Sequence, residues 1–285
     1  SMNKTLSFFF DEILENFNLT SRNDEYYLAL DLQLKEYIAS SNFVKGGSGE
    51  EVFGPFGALN FPYREMGAIT SLQLFGLDEL IIFAFYWANK LKYKKIADIG
   101  ANIGLHSILM SKCNWVVNAY EPDPHHITVM KTNIEENQAE NININQMAVS
   151  GFNGNAEFTR VLGNTTGSHL TGAKDKPYGD LEKFKVVVKD IQDIMPFSDL
   201  IKLDVEGEEA NVITSTVSQN WNECDMMAEV GSESNAIAIF NHLSNLRINM
   251  FSQKIGWSKV KSLSQIPISY KEGSLFISKR ESLPI

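Results

Sequence analysis

Between residues 93 and 150 the chain alternates short apolar runs with helical stretches, and no other feature restricts the fold as much. Ile96-Ala97-Asp98-Ile99 reads as a strand, Gly104 to Cys113 as a helix, Trp115 to Tyr120 as a strand and Asp123 to Glu136 as a helix. Ile142 to Val149 follows as a third strand, with Ile142, Ile144, Gln146 and Ala148 alternating. Connections this short force right-handed crossovers between parallel neighbours, so the spacing predicts an α/β chain built on a parallel sheet. The pattern resumes with strands at 200–205 and 225–230 and helices at 206–217 and 233–247. Two more strands, near 251–260 and 274–279, have no helix after them and are expected to close the sheet as an antiparallel pair. The expectation is a doubly wound, mostly parallel sheet of seven strands with helices on both faces.

Two regions lie outside that alternation. Residues 1–92 are expected to form a helical extension, and residues 93–285 the main domain with a hairpin and loop inserted at about 151–199. Within the extension Tyr27, Leu30, Leu34 and Ile38 recur at helical spacing. A strong helix is expected from Asp78 to Lys92, with Leu80, Phe83, Tyr86 and Trp87 on its buried side. Between them lie Gly46, Gly47, Gly49, Gly54 and Gly57, which read as a flexible connector because no Gly-Lys-Ser/Thr follows to make a phosphate loop. The inserted hairpin pairs 156–162 with 184–190 across a polar, glycine-rich stretch that has the composition of a moving loop.

Charge and composition exclude several classes of function. The net charge is −10, and only 5 of the 25 basic residues are arginine. No basic stripe is present, so no nucleic-acid partner is expected. Cys113 and Cys224 form neither a zinc pattern nor a disulfide framework, which suits a reducing, cytoplasmic setting. The longest apolar run, Leu80 to Ala88, is far too short for a membrane helix, and the first residues do not read as a secretory signal. A membrane partner is therefore not expected either.

The chemistry concentrates in Asp98-Ile99-Gly100-Ala101-Asn102-Ile103-Gly104, which ends one strand and opens a helix. Gly100 allows a sharp turn and a close approach of ligand to backbone. In open parallel sheets ligands bind beyond the carboxyl ends of the strands, where this turn lies. Glu121, in Glu121-Pro122-Asp123, stands at the tip of the next strand, placed to accept hydrogen bonds from the two hydroxyls of a ribose. Together they point to a nucleoside site. A dinucleotide site would carry a glycine where this chain has Asn102, and the Asp98 carboxylate would repel a pyrophosphate while attracting an ammonium or sulfonium group. The sign of the charge favours S-adenosylmethionine over NAD.

These strings, with Ile201-Lys202-Leu203-Asp204-Val205-Glu206-Gly207-Glu208-Glu209 and the strand end Ala148-Val149-Ser150-Gly151, resemble the FkbM family of S-adenosylmethionine-dependent methyltransferases over roughly residues 75–235. The resemblance implies a Rossmann-like class I methyltransferase fold. It also implies methylation, usually of an oxygen, on a sugar, polyketide or other small molecule, leaving S-adenosylhomocysteine as product. On this likeness Asp98, Gly100, Asn102 and Gly104 cradle the donor, Glu121 clamps its ribose, and Asp123 and Ala148 lie near its adenine. Glu79 resembles the family's acid one helix before the first strand. Asp204 stands where such enzymes place a residue facing the methyl group. Ser168 resembles a serine of the family's long loop.

A hydroxyl acceptor must lose its proton, and Asp204, His169, His106 and Glu229 are the candidate bases, with Asp204 and His169 taken as catalytic. His125 and His126 are expected to face solvent. Asp204, Glu206, Glu229 and Glu233 could converge on a hard cation, but acids at a helix start already complement its dipole, and no metal is assigned. The acceptor pocket is expected between the extension and residues 163–180, with Phe53, Phe56, Phe61 and Tyr63 as candidate lining. The extension's aromatic residues suit either that pocket or a homodimer contact. The expected partner is a small-molecule or glycan acceptor. An NAD-dependent enzyme and a nucleoside-binding protein without turnover are the alternatives.

Overall fold

Leu6, Phe9, Phe10 and Ile13 are spaced three and four apart, and that spacing folds as helix α1 (Leu6–Glu15) with all four side chains buried. This is a computed structural model of the chain, and it describes residues 4–63, 71–161, 169–170 and 181–285. Asp24 caps α2 (Glu25–Ala39) by accepting a hydrogen bond from the Tyr26 N–H, and Tyr27, Leu30, Leu34 and Ile38 form its buried face, as their spacing predicts.

The glycine-rich stretch is no flexible connector. It folds as an antiparallel hairpin of β1 (Glu50–Val52) and β2 (Ala58–Asn60). A Cβ on Gly49 would meet the Pro62 backbone at 2.7 Å, and one on Gly54 would meet the Phe10 ring at 2.2 Å. Gly49 and Gly54 are there for close packing. After the short α3 (Ser71–Leu74), α4 (Leu77–Ala88) is buried on nearly every side. It ends at Ala88 rather than Lys92, and Trp87 is only half-buried.

The parallel sheet is laid down by β3 (Lys95–Ile99), α5 (Leu105–Ser111), β4 (Val116–Tyr120), α6 (Pro124–Glu136) and β5 (Ile142–Asn145). The third strand is shorter than its alternation predicts. The chain turns after Asn145, and β6 (Ala148–Ser150) leaves to join a second sheet with β7 (Gly154–Val161), β8 (His169–Leu170) and β9 (Leu181–Asp190). The expected antiparallel pairing of β7 with β9 is present, from Gly154 opposite Val188 to Val161 opposite Leu181. The main sheet then resumes with β10 (Leu200–Leu203), α7 (Glu209–Thr214), β11 (Asp225–Ala228) and α8 (Glu233–Leu246). It finishes with β12 (Asn249–Ser252), β13 (Ser258–Lys259) and β14 (Leu275–Ser278).

The strand order is β13-β12-β14-β11-β10-β3-β4-β5. β14 runs antiparallel between β11 and β12. The two-residue edge strand β13 brings the number to eight rather than seven among the described residues. Strand succession reverses between β3 and β10, which makes the carboxyl ends of these two strands the switch point where ligands bind in Rossmann-like sheets.

One apolar core lies on each face of the sheet. The first joins Phe9, Phe10, Phe43, Phe53 and Phe83 to Ile96, Val117 and Phe276, so the N-terminal helices form the helical layer of that face. The Phe43 and Phe75 rings stack 3.9 Å apart. Burying each such ring contributes about 2 kcal/mol, and core packing explains the aromatic richness of the N-terminal residues. The second core packs Ile99, Ile201 and Leu203 against Val212, Ile213, Ile239 and Leu243 of α7 and α8. No helix among the described residues is long and apolar enough to cross a membrane.

Candidate active site

The switch point is built first by a glycine. At Gly100 φ is +81°, and an added Cβ would lie 1.8 Å from the Asp204 carbonyl oxygen. No other residue allows the turn after β3 to pass this close to the end of β10. The N–H groups of Gly100 and Ala101 both donate to the Tyr120 carbonyl at 3.0 Å, which ties the turn to the tip of β4. Asn102 is left-handed at φ 55°. Gly104, at φ +89°, sits where a Cβ would meet Met130 Cγ at 2.6 Å.

This turn holds the acid predicted at the β4 tip. Glu121 Oε1 accepts the Asn102 N–H at 2.8 Å, and Oε2 accepts the Asp123 N–H at 2.9 Å. The carboxylate is buried, fixed by two backbone donors, and keeps further acceptor capacity on each oxygen. His126 corrects the expectation that it faces solvent: it is buried, with Nδ1 3.5 Å from Glu121 Oε2. The Asp123 side chain is also buried and accepts the His125 N–H at 2.8 Å, capping α6.

A buried cation, Lys202, organises the acids around the switch point, and sequence reasoning did not single it out. Its Nζ is 3.5 Å from Asp98 Oδ1 and donates to the Gly100 carbonyl at 3.3 Å. Burial pushes the Lys202 pKa down, but the charges of Asp98, Asp204, Glu79 and Glu229 outweigh it and hold the ammonium form. The visible signal was a lysine inside Leu200-Ile201-Lys202-Leu203, a strand paired on both sides. Asp98 is fully buried, with Oδ2 accepting from Ser107 Oγ at 2.6 Å.

Asp204 and Glu229 follow the last paired residues of β10 and β11, Leu203 and Ala228, and so stand side by side. The Asp204 charge, with burial, pushes the Glu229 carboxyl well above the usual carboxylate range. Just beyond, Glu206 and Gly207 take positive φ, which delays α7 to Glu209 instead of the predicted Glu206. Glu209 accepts the Gly207 N–H at 3.0 Å, and burial with the Asp204 charge raises its pKa to about 8.

Glu79, in the first turn of α4, reaches the same neighbourhood. Its Oε2 is 2.6 Å from His106 Nε2, and His106 Nδ1 is 2.8 Å from the Tyr86 hydroxyl. Burial raises the Glu79 pKa, but His106 and Lys202 outweigh it and hold the carboxyl below its usual range.

Ala148 packs in the small core of the second sheet with Phe158, Val186 and Val188. His169 is opposite Thr159 in β8. Ser168 and most of the 163–180 loop lie outside the described residues. Phe53 and Phe56 are core residues, whereas Phe61 and Tyr63 line an apolar hollow with Phe43, Phe75 and Ile103 of the glycine turn.

No curated protein matches this sequence. Among solved structures, the chain is similar to a precorrin-6y C5,15-methyltransferase from Geobacter metallireducens GS-15, with 14% identity over 67% of this chain and 82% of that one and a TM-score of 0.36. It is similar to an O-methyltransferase from Bacillus cereus in complex with SAH, with 9% identity over 68% and 78% and a TM-score of 0.37. For WbdD the figures are 9%, 72% and 40% with a TM-score of 0.40, so this chain spans well under half of that protein. Residues 98–250, more than half of the chain, match the family described as the Methyltransferase FkbM domain, and the chain belongs to the FkbM methyltransferase family.

Proposed function

We propose that this protein is an S-adenosylmethionine-dependent methyltransferase acting on a hydroxyl group of a small molecule or glycan. The observation that supports the donor most is Glu121, immobilised by the Asn102 and Asp123 N–H groups with acceptor capacity left for a ribose. The residues of the turn fit the rest of such a donor. Asp98 Oδ1 and Asn102 Oδ1 are buried and accept no hydrogen bond within the chain, so the turn offers acceptors to a cation. A pyrophosphate would need donors at the same place.

When bound, S-adenosylmethionine supplies an electrophilic methyl group together with its leaving group. The chain then has to align the acceptor, exclude water and take up the acceptor's proton. Asp98, Asn102, Glu121 and Glu79 are assigned to holding the donor. Asp204 is assigned to the acceptor's proton: it follows the last paired residue of β10 at the switch point, with Gly100 packed on its carbonyl. His169 is the second candidate base.

Thermal unfolding with S-adenosylhomocysteine, S-adenosylmethionine and NAD tests the reading. Ligand at a hundred times its dissociation constant adds about 2.7 kcal/mol, a shift of several degrees. The first two ligands are expected to stabilise the wild type, and Glu121→Ala is expected to abolish the shift. Stabilisation by NAD alone would overturn the proposal. With the donor site confirmed, labelled methyl transfer to a panel of hydroxylated acceptors separates an enzyme from a binding protein.

A further inference from the structure

The Glu79 carboxylate ends a hydrogen-bonded chain that begins inside the core. Tyr86 is fully buried two turns further along α4, and burial with the nearby Asp98 and Glu79 charges pushes its pKa well up, so it stays a phenol. A phenol in this place donates to His106 Nδ1 at 2.8 Å. That leaves the other imidazole nitrogen, Nε2, to carry the ring proton and donate to Glu79 Oε2 at 2.6 Å. The imidazole cannot swing away, because Phe83 lies edge-on to it with ring centroids 4.7 Å apart. His106 is the second residue of α5, directly after the glycine turn, so the chain joins α4 to the donor loop.

Resting on the donor site proposed above, we infer that Tyr86 and His106 are positioning residues that hold Glu79 aimed at the ammonium group on the amino-acid end of the donor. The geometry supplies the direction. With its ribose held by Glu121 at the tip of β4, a donor lying across the switch point would bring its other end to the acids around Lys202 at the ends of β3 and β10. Glu79 lies on that side, close enough to Lys202 for each to feel the other's charge. Only Oε2 of Glu79 is engaged by His106, and the side chain is about one-third exposed. A fixed carboxylate facing an ammonium forms a charge-assisted hydrogen bond, the strong kind.

The test is binding by calorimetry, which needs no acceptor. S-adenosylhomocysteine carries the ammonium group; 5′-methylthioadenosine keeps the nucleoside and lacks it. Glu79→Gln is expected to weaken S-adenosylhomocysteine about tenfold and Tyr86→Phe about threefold, with methylthioadenosine changed less than about twofold. In the double variant the Tyr86→Phe effect is expected to vanish, because the relay then has nothing to aim. His106→Ala, which cuts the same chain at its middle, is expected to behave as Tyr86→Phe and serves if that variant does not fold. Equal weakening of both ligands, additive effects in the double variant, or no effect of either relay variant would each overturn the inference. Failure of the wild type to bind S-adenosylhomocysteine at all would instead bring down the donor site on which it rests.

Discussion

Asp98 and Asp225 are both buried carboxylates in the same sheet, at opposite ends of the two strands that flank β10, and the chain treats them differently. Asp225, at the start of β11, is saturated: it accepts from Tyr93 Oη at 2.7 Å, Ser278 Oγ at 2.5 Å and Arg280 Nε at 2.8 Å. Asp98, near the end of β3, accepts one hydrogen bond from Ser107 and leaves Oδ1 to a long ion pair with Lys202. A carboxylate that serves the fold is fully bonded, because each unmet acceptor costs stability. One left partly unmet at the switch point is held ready for something else. The backbone of the site end is also specialised: Gly100, Asn102, Gly104, Glu206 and Gly207 all take positive φ there.

Breaking the backbone of the site end should have the largest effect. Gly100→Ala places a methyl group 1.8 Å from the Asp204 carbonyl in a left-handed conformation, and a loss of at least about 4 kcal/mol is expected in denaturant unfolding. Asp225→Ala strands three donors at the other end and should cost about 3 kcal/mol, while S-adenosylhomocysteine affinity of the folded protein stays within about twofold.

Glu209 sharpens the comparison as a buried acid that the fold holds neutral. Its pKa rises from an ordinary 4.5 to about 8, so the unfolded chain releases this proton at lower pH than the folded one. Stability is therefore lost as pH rises from about 4.5 to about 8. Glu209→Gln removes that titration, and its stability relative to wild type should improve steadily as pH rises through the window, read as a growing Tm difference. The smallest stability effect belongs to Asp98→Asn, about 1 kcal/mol, paired with a tenfold or greater loss of S-adenosylhomocysteine affinity. If Asp98→Asn unfolded the protein as Asp225→Ala does, the distinction between the two acids would collapse.

Local patterns were legible in the sequence and long-range partners were not. The buried face of α2 follows from Tyr27, Leu30, Leu34 and Ile38, and the βαβ spacing gives the order of β3, β4 and β5, because both are properties of neighbouring residues. The glycines of 46–57 carry no local sign that their partners are Pro62 and Phe10, so a packed hairpin reads as a flexible stretch. Nothing around Gln146 announces that Ala148 will pair with Val188. His126 looks like a surface residue until α6 is laid against the β4 tip. The site shows the same division: Glu121 was visible from its strand end, whereas the Tyr86–His106–Glu79 chain and the Lys202 centre exist only once α4, α5 and β10 are side by side.

The position of β14 bears on how this protein can be cut. It lies between β11 and β12, yet it comes from residues 275–278, beyond the 98–250 region that carries the family's signature. A fragment trimmed to that region would lose the strand that joins β12 to β11. It would also lose the aromatic layer supplied by Phe9, Phe10 and Phe43. Bare strand edges and an uncovered apolar face invite self-association, so such a minimal fragment should aggregate more readily than the 285-residue chain, as read by light scattering.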